Sequence, residues 1–198
     1  MIAILDYGAG NLTSVAKAFR HLGAEVGITD EPAVARRANA LVLPGVGHFA
    51  STAVIGERAL TAVIREAIDA SKPFLGICVG LQWMFEGSEE APDALGLGCF
   101  AGECRRFPAD VRVPHVGWNQ IRIVRPSRLL EKVPDNSYVY YTHSYFAPVV
   151  PETVAVTEYG TEFTAMAESR NAFAVQFHPE KSGAAGLAML DNFARLAC

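Results

Sequence analysis

The stretch Lys72–Phe85 constrains the fold most strongly, because it combines a short apolar run, a sharp turn and the start of a helix. The run Phe74–Ile77 predicts a buried strand, and Leu81–Glu86 predicts the beginning of a helix. Between them lies Cys78, with glycines two residues before and two residues after it. The pattern G-x-C-x-G is the cysteine form of the nucleophile elbow, a tight turn that strains its central residue. We therefore predict a strand, a turn and a helix, with a thiol at the tip of the turn.

Two interpretations of Cys78 are compatible with this pattern. In the first, the turn places the sulfur at the N-terminus of a helix, where the macrodipole and free N–H groups favour the thiolate over the thiol. In the second, Cys78 is a small buried residue between a core strand and a core helix. A catalytic cysteine also needs a base and a group that orients the base, and these must come from elsewhere in the chain.

The composition is that of a globular protein. Of the 198 residues, 51% are hydrophobic and 19% are charged, which favours one compact domain over residues 1–198 and argues against disorder. The formal net charge is −4, and like charges occur together only as pairs such as Arg36–Arg37 and Arg105–Arg106. This distribution argues against a nucleic-acid-binding surface.

Cysteine usage and the N-terminal sequence favour a cytoplasmic location. The cysteines Cys78, Cys99, Cys104 and Cys198 form no C-x-x-C pair and no regular framework, as expected of reduced thiols. The chain begins with a strand pattern, without a basic region or a cleavage site. No uninterrupted apolar run approaches the roughly 18 residues that a membrane span requires.

Upstream of Cys78, strand patterns alternate with helix patterns, which predicts a parallel sheet covered on both faces. Reactive groups gather at the carboxyl ends of such strands, and here that edge would carry Asp6–Asn11, Pro44–Gly47 and Cys78. Asp30 is expected to cap the second helix. The predicted strands are Ile2–Leu5, Glu25–Thr29 and Ala40–Leu43, and the predicted helices are Leu12–Leu22, Pro32–Arg37 and Ala59–Ala70.

Downstream of Gly87 the pattern changes to strands without long helices between them, closed by a helix over Gly183–Leu196. We expect this change within one domain. The sequence thus predicts an α/β fold with an open, mostly parallel central sheet flanked by helices, and with additional antiparallel strands in the C-terminal half. The strand-like segments are Phe100–Phe107, Trp118–Val124, Ser137–Phe146, Thr153–Tyr159, Thr164–Ser169 and Ala172–Phe177.

The tripeptide His178-Pro179-Glu180 supplies a base and a carboxylate two residues apart, just after the last apolar strand. A nucleophilic cysteine needs both groups, and triads are recognised by the roles of their members rather than by their order in the chain. Pro179 stiffens the turn between the two side chains. The alternative is a solvated loop that happens to contain a histidine and a glutamate.

The segment Pro44-Gly45-Val46-Gly47 follows a predicted strand and could offer backbone N–H groups to a developing oxyanion, together with the N–H of Val79. The alternative is an ordinary turn at the end of a strand.

A dinucleotide site and a metal site are both disfavoured. Gly8-Ala9-Gly10 follows the first strand, but the third position of G-x-G-x-x-G falls on Thr13. The histidines His21, His48, His115, His143 and His178 lack the paired spacing of metal ligands, so we expect neither a cofactor nor a metal.

Taken together, these residues resemble class I glutamine amidotransferases, a family that combines a G-x-C-x-G elbow with H-P-E as a Cys-His-Glu triad. The resemblance covers essentially the whole chain, and several segments narrow it to the glutaminase subunits of imidazole glycerol phosphate synthase, an enzyme of histidine biosynthesis. It rests on D-Y-G-A-G-N at Asp6–Asn11, L-P-G-V-G-H-F at Leu43–Phe49, P-H-V-G-W-N at Pro114–Asn119, T-H-S-Y at Thr142–Tyr145 and F-H-P-E-K-S at Phe177–Ser182. In the elbow, Val79 and Leu81 replace a commoner Leu and Met, which are apolar exchanges.

The resemblance implies roles for individual residues. Cys78, His178 and Glu180 would form the catalytic triad of a glutaminase. The remaining roles are implied in the same way: oxyanion stabilisation by Val79, Gly45, Val46 and Gly47, and glutamine binding by Gln82 and Glu90 with backbone of Gly47, His143 and Ser144.

The resemblance also implies a partner. Ammonia would pass to a (β/α)₈-barrel cyclase subunit that makes imidazole glycerol phosphate and an aminoimidazole carboxamide ribonucleotide. The expected docking face contains Asn11, Trp118, Tyr140 and Lys181.

Three alternatives remain open at the level of sequence. One is an ammonia-donating subunit of another pathway, such as vitamin B6 or guanylate synthesis. Another is a thiol hydrolase or redox-sensing protein with a cysteine elbow. The third is a non-catalytic binding module.

Overall fold

The structure is a computed structural model, and it describes residues 1–197. The strands in that range are β1 (Ile2–Leu5), β2 (Val26–Thr29), β3 (Ala40–Gly45), β4 (Phe74–Cys78), β5 (Gly87–Ser88), β6 (Glu103–Arg106), β7 (His115–Gln120), β8 (Arg122–Ile123), β9 (Tyr138–His143), β10 (Tyr145–Phe146), β11 (Thr153–Glu158), β12 (Glu162–Ser169) and β13 (Ala172–Val175). The helices are α1 (Leu12–His21), α2 (Pro32–Arg37), α3 (Ala53–Glu57), α4 (Leu60–Asp69), α5 (Val79–Met84) and α6 (Gly183–Leu196). Short 3₁₀ turns cover Phe49–Thr52, Arg128–Leu130 and Pro179–Lys181.

The central sheet has the strand order β2-β1-β3-β4-β13-β12-β11-β8. The strands from β2 to β13 run parallel, whereas β12, β11 and β8 add antiparallel pairs at one side. Two smaller sheets have the orders β10-β6-β5 and β7-β9. The predicted fold class is therefore confirmed, and the pairing of β13 with β4 joins the two halves of the chain in one sheet.

Each face of the central sheet is covered by its own apolar core. Along β1, Ile2 and Ile4 belong to one core, whereas Ala3 and Leu5 belong to the other, as strand alternation requires. All four are buried, which explains why the first strand is a continuous apolar run rather than an alternating one. In the first core α1 and α6 pack together, and α4 and α5 contribute to the second.

Three local predictions were wrong. The segment Ser137–Phe146 is two strands rather than one, because β9 pairs with β7 whereas β10 pairs with β6 in another sheet. Asp30 does not cap α2: the N-cap position belongs to Glu31, and the Asp30 carboxylate instead accepts a hydrogen bond from Arg58 at 3.1 Å. Because α2 begins at Pro32, Asp30 lies one residue before the N-cap position. The strand predicted over Trp118–Val124 is two strands. The first, β7, begins earlier, at His115, and ends before the buried Ile121, and the second, β8, follows that residue.

Among residues 1–197, none of the helices combines the length and the hydrophobicity that crossing a membrane would require.

Candidate active site

The predicted elbow is present at the end of β4. Cys78 has φ 55° and ψ −109°, a conformation rarely adopted by residues other than glycine, and α5 begins at the next residue. The flanking glycines are required by close packing. A Cβ on Gly80 would lie 2.1 Å from the carbonyl oxygen of Leu43, and a Cβ on Gly76 would lie 2.6 Å from that of Gly80. The sequence folds into this turn because only glycine permits both approaches.

His178 and Glu180 form a buried pair beside the elbow. His178 Nδ1 lies 2.9 Å from Glu180 Oε1, and the two side chains are 2% and 1% exposed. Because Nδ1 faces a carboxylate, it carries a proton, which leaves Nε2 to exchange a proton with reacting groups. Nε2 itself is buried and has no hydrogen-bond partner in residues 1–197. The pair therefore has the arrangement of an oriented base with one nitrogen uncommitted.

Electrostatics connect this base to the sulfur. Burial lowers the pKa of His178, but the neighbouring Cys78 and Glu180 outweigh burial and raise it to about 10. A histidine that interacts with both a sulfur and a carboxylate is stabilised in its charged form. The structure thus brings together the three residues that the sequence proposed as a triad.

Hydrogen bonds of the main chain anchor the turn that carries His178. Its backbone N–H donates to the carbonyl of Tyr140 at 2.9 Å. The Ser182 hydroxyl donates to the carbonyl of His178 at 2.6 Å and accepts from the N–H of Tyr140 at 3.0 Å. These bonds attach the turn at Pro179–Lys181 to β9. The base lies next to β4 because the strand that precedes it, β13, is the neighbour of β4.

A cleft of about 630 Å³, including its open mouth, lies at this edge of the sheet. Of the residues proposed for glutamine binding and the oxyanion, all but Gly45 line it. Pro114, Thr142 and Tyr145 also line it, and sequence reasoning gave them no role, although each lies in a segment that carried the resemblance. The lining residues are Val46, Gly47, Cys78, Val79, Gln82, Glu90, Pro114, Thr142, His143, Ser144 and Tyr145.

Gly45 lies beside the cleft, at the end of β3. It is the register partner of Cys78, and a Cβ on it would lie 2.6 Å from the Tyr7 hydroxyl oxygen and 2.7 Å from Val79 Cβ. Gly47, which does line the cleft, has a φ of 96°. The segment proposed for the oxyanion therefore runs from a tightly packed glycine to a left-handed one, directly against the elbow.

Two polar side chains at the cleft are already held by hydrogen bonds within the chain. Gln82 Nε2 donates to the carbonyl of Tyr145 at 2.8 Å and to Gln176 Oε1 at 3.2 Å. Glu90 Oε2 accepts from the N–H of Phe49 at 2.7 Å. Both side chains are consequently fixed at the cleft before any ligand enters.

The side chain of His143 is engaged with its neighbours. Its Nε2 lies 3.0 Å from His115 Nδ1, and its Nδ1 lies 2.9 Å from the carbonyl of Tyr145. Burial lowers the pKa of His115 to about 4 and that of His143 to about 3. Both rings are therefore neutral at pH 7, and the side chain of His143 serves the packing of the cleft wall.

The residues proposed for the docking face are partly grouped. Trp118 and Tyr140 are register partners on β7 and β9 with ring centroids 6.1 Å apart, and Trp118 is 55% exposed. Lys181 Nζ lies 5.7 Å from the centroid of the Tyr140 ring. Asn11 precedes α1, and this helix contacts the turn that contains Lys181. An exposed aromatic and cationic patch therefore adjoins the turn that carries the base.

Comparison with known proteins identifies the family. The family model described as glutamine amidotransferase class-I matches residues 3–197. The chain belongs to the class I glutamine amidotransferases. Relatives within this family include proteins named imidazole glycerol phosphate synthase subunit HisH. That of Methanothermobacter thermautotrophicus is 49% identical over 99% of this chain and 98% of its own length, and that of Thermococcus kodakarensis is 48% identical over 99% and 100%.

Solved structures of glutamine amidotransferases share the fold. One described as a crystal structure of glutamine amidotransferase has a TM-score of 0.78 at 17% identity, covering 99% of this chain and 98% of its own. A chain in the structure of PurLQS from Thermotoga maritima has a TM-score of 0.74 at 16% identity, covering 98% of this chain and 96% of its own. At such low identity these similarities establish the fold alone.

Proposed function

We propose that this protein is the glutaminase subunit of imidazole glycerol phosphate synthase, acting in histidine biosynthesis. The observation that carries the proposal is the buried His178–Glu180 pair beside the strained Cys78, in a chain 44–49% identical to several HisH subunits. We treat residues 1–198 as a single glutamine amidotransferase domain that works in the cytoplasm, without a cofactor or a metal. The sheet that spans both halves of the chain supports the single-domain assignment.

The reaction is the hydrolysis of glutamine to glutamate and ammonia. The sulfur of Cys78 attacks the side-chain carboxamide carbon, and a C–S bond forms as the carbonyl oxygen becomes an oxyanion. The protonated His178 gives its Nε2 proton to the departing nitrogen as the C–N bond breaks, which leaves a glutamyl thioester and ammonia. His178 then takes a proton from water, and the resulting hydroxide cleaves the thioester to glutamate. Glu180 holds the ring and stabilises its charged form throughout.

Substrate positioning follows from the fixed polar groups at the cleft. Because Gln82 uses its nitrogen for Tyr145 and Gln176, its oxygen accepts from a donor on the substrate. The Glu90 carboxylate attracts the substrate's ammonium group, and backbone of Gly47, His143 and Ser144 completes the site. Val79 and the segment Gly45–Gly47 donate backbone N–H groups to the oxyanion.

Ammonia requires a protected route, because in bulk water it becomes protonated and loses its nucleophilicity. We propose that a (β/α)₈-barrel cyclase subunit docks over the cleft on the face containing Asn11, Trp118, Tyr140 and Lys181. The cyclase uses the ammonia on a phosphoribulosyl-formimino ribonucleotide, giving imidazole glycerol phosphate and an aminoimidazole carboxamide ribonucleotide. The exposed Trp118 is suited to such an interface, where aromatic residues are enriched.

The partner also controls the glutaminase. We propose that the Pro44–Gly47 segment donates to the oxyanion only when the cyclase is bound, so that the isolated chain is nearly inactive. The left-handed Gly47 and the exposed Val46 give this segment the freedom for such a change. Full glutaminase turnover by the isolated chain would contradict this control.

The proposed function is tested by comparing synthesis from glutamine with synthesis from added ammonia. In the complex with the cyclase, Cys78→Ala is expected to abolish synthesis from glutamine and to leave synthesis from added ammonia within about twofold, because the cyclase site is untouched. Cys99→Ala is the matched control and is expected to preserve both activities. Loss of both activities in Cys78→Ala would mean that Cys78 is structural. If glutamine hydrolysis by this chain supports another synthase but not imidazole glycerol phosphate synthase, the chain is an ammonia-donating subunit of a different pathway.

A further inference from the structure

Gln176 is a buried polar side chain that the mechanism above does not use. It follows β13 directly, lies two residues before His178, and is 0% exposed. A long amide side chain in a dry core is costly unless its hydrogen bonds are made. The hydrogen-bond partners of Gln176 therefore indicate its role.

The Gln176 amide lies between Gln82 and the nucleophile. Its Oε1 accepts from Gln82 Nε2 at 3.2 Å, and its Nε2 donates to Cys78 Sγ at 3.7 Å. The orientation of both amides is determined by Tyr145. Its carbonyl only accepts, so the Gln82 nitrogen must face it, and the second N–H of that nitrogen then meets the oxygen of Gln176. The nitrogen of Gln176 is thereby turned towards the sulfur.

The same carbonyl ends a second series of hydrogen bonds that comes from β7. His143 Nδ1 donates to Tyr145, so its Nε2 must accept from His115 Nδ1 at 3.0 Å. His115 Nε2 then accepts from Asn119 Nδ2 at 3.4 Å. Each bond in this series has only one donor assignment compatible with its neighbours. The Tyr145 carbonyl is thus held between two donors, and the series continues through Gln82 and Gln176 to the sulfur.

We propose that Gln176 is a positioning residue that donates a hydrogen bond to Cys78, holding the sulfur in place and favouring its thiolate form. The proposal rests on the proposed function in taking Cys78 as the nucleophile. The titratable groups that also interact with the sulfur are His178, whose partner is Glu180, and Tyr7, whose buried hydroxyl has a pKa raised by burial and by Cys78. Gln176 supplies the sulfur with a donor that carries no charge and does not titrate.

The first test measures the reactivity of Cys78 in the full chain. The rate of its alkylation by iodoacetamide is followed across pH 5.5–9.5 by site-resolved mass spectrometry. Gln176→Met, which keeps an unbranched side chain but removes the donor, is expected to move the midpoint of the rate profile up by about one pH unit, the effect of losing one hydrogen bond to an ionised group. At pH values below both midpoints the alkylation rate should therefore fall about tenfold. The plateau at high pH should remain. Gln120→Met, on the exposed side of β7, is the matched control and should follow the unaltered protein.

A second measurement does not depend on the folding of a Gln176 variant. The chain has three glutamines, so selective ¹⁵N-glutamine labelling gives three side-chain amide signals. In Cys78→Ala the Gln176 amide signal is expected to shift, whereas that of Gln120 should not. Superimposable alkylation profiles for Gln176→Met and the unaltered protein, or an unmoved Gln176 signal in Cys78→Ala, would overturn the proposal. Both readouts are independent of glutamine turnover, so a failed glutaminase assay would not by itself produce either result.

Discussion

Replacing Gly80 with alanine tests whether close packing of the elbow sets the geometry of the site. The new Cβ would lie 2.1 Å from the carbonyl oxygen of Leu43 and 3.2 Å from its carbon. Ordinary van der Waals contacts begin at 3.4 Å, so the distance between α5 and β3 must increase by about 1.3 Å to relieve this overlap. Neither side is a flexible side chain, because the oxygen belongs to the backbone of a buried central strand.

This displacement has two measurable consequences. Overpacking of a well-packed core costs about 1–3 kcal/mol, so the free energy of unfolding should fall by that amount. The separation also moves Cys78 relative to His178 and to the Gly45–Gly47 segment. A misplacement of about 1 Å can cost a hundredfold in rate, so we expect kcat/KM for glutamine to fall at least that far.

Gly56→Ala is the matched control for Gly80→Ala. Gly56 lies in α3, and the nearest atom to its added Cβ would be Thr61 Oγ1 at 3.8 Å. This variant should keep full activity and gain up to about 1 kcal/mol, because alanine favours helix over glycine. Urea denaturation and glutamine turnover in the complex with the cyclase provide the two readouts. Equal stability and activity of Gly80→Ala and Gly56→Ala would refute the reasoning.

Two further predictions concern charge. Glu180→Gln should lower glutamine-dependent turnover by about 10³- to 10⁴-fold, because the ring of His178 loses the carboxylate that orients it and stabilises its charged form. The control variant Glu57→Gln, at an exposed position, should have no effect. A loss below tenfold in Glu180→Gln would contradict the triad. The pKa values of His115 and His143 are lowered in the folded chain, so below about pH 6.5 the unfolded chain binds protons that the folded chain does not. Their contribution to stability is therefore present above about pH 6.5 and is lost as the pH falls through about 4 for His115 and about 3 for His143. The raised pKa of His178 acts in the opposite sense, with a contribution to stability present below about pH 6.5 and lost as the pH rises through about 10. The histidines are therefore followed one by one through their ¹⁵N ring signals. The signals of His115 and His143 should stay those of neutral rings from pH 8 to pH 5, and titration of either ring near pH 6.5 would contradict the account.

The first half of the fold was largely predictable because its signals are local. Apolar runs ending in turn residues located β1, β3 and β4, and the bounds of α2 and α6 were as predicted. The G-x-C-x-G pattern predicted a strained turn, and the structure explains both glycines, because a Cβ at either position would overlap a backbone carbonyl oxygen. The approach of His178 to Cys78 follows from the topology, since β4 and β13 are parallel neighbours and both segments lie just beyond their carboxyl ends.

The hydrogen bonds around the cleft could not be predicted in this way. The contact between His115 and His143 depends on the register of β7 against β9, which places the two residues directly opposite each other. Register is set by long-range pairing that no local pattern encodes. The one sequence signal for Gln176 was a lone amide in the apolar run Ala172–Phe177, and it indicates burial without indicating a partner. Asp30 shows the same limit, because its pairing with Arg58 joins residues far apart in sequence.

We propose that Cys78, His178 and Glu180 form a working catalytic unit for glutamine. The most direct test is to quench the complex in acid during turnover and to search its cysteine peptides for a covalent glutamyl group by mass spectrometry. We predict a glutamyl thioester on Cys78 when glutamine is the nitrogen source, and none when ammonia replaces it. Consumption of glutamine without an adduct, or with the adduct on Cys99 or Cys104, would contradict the account.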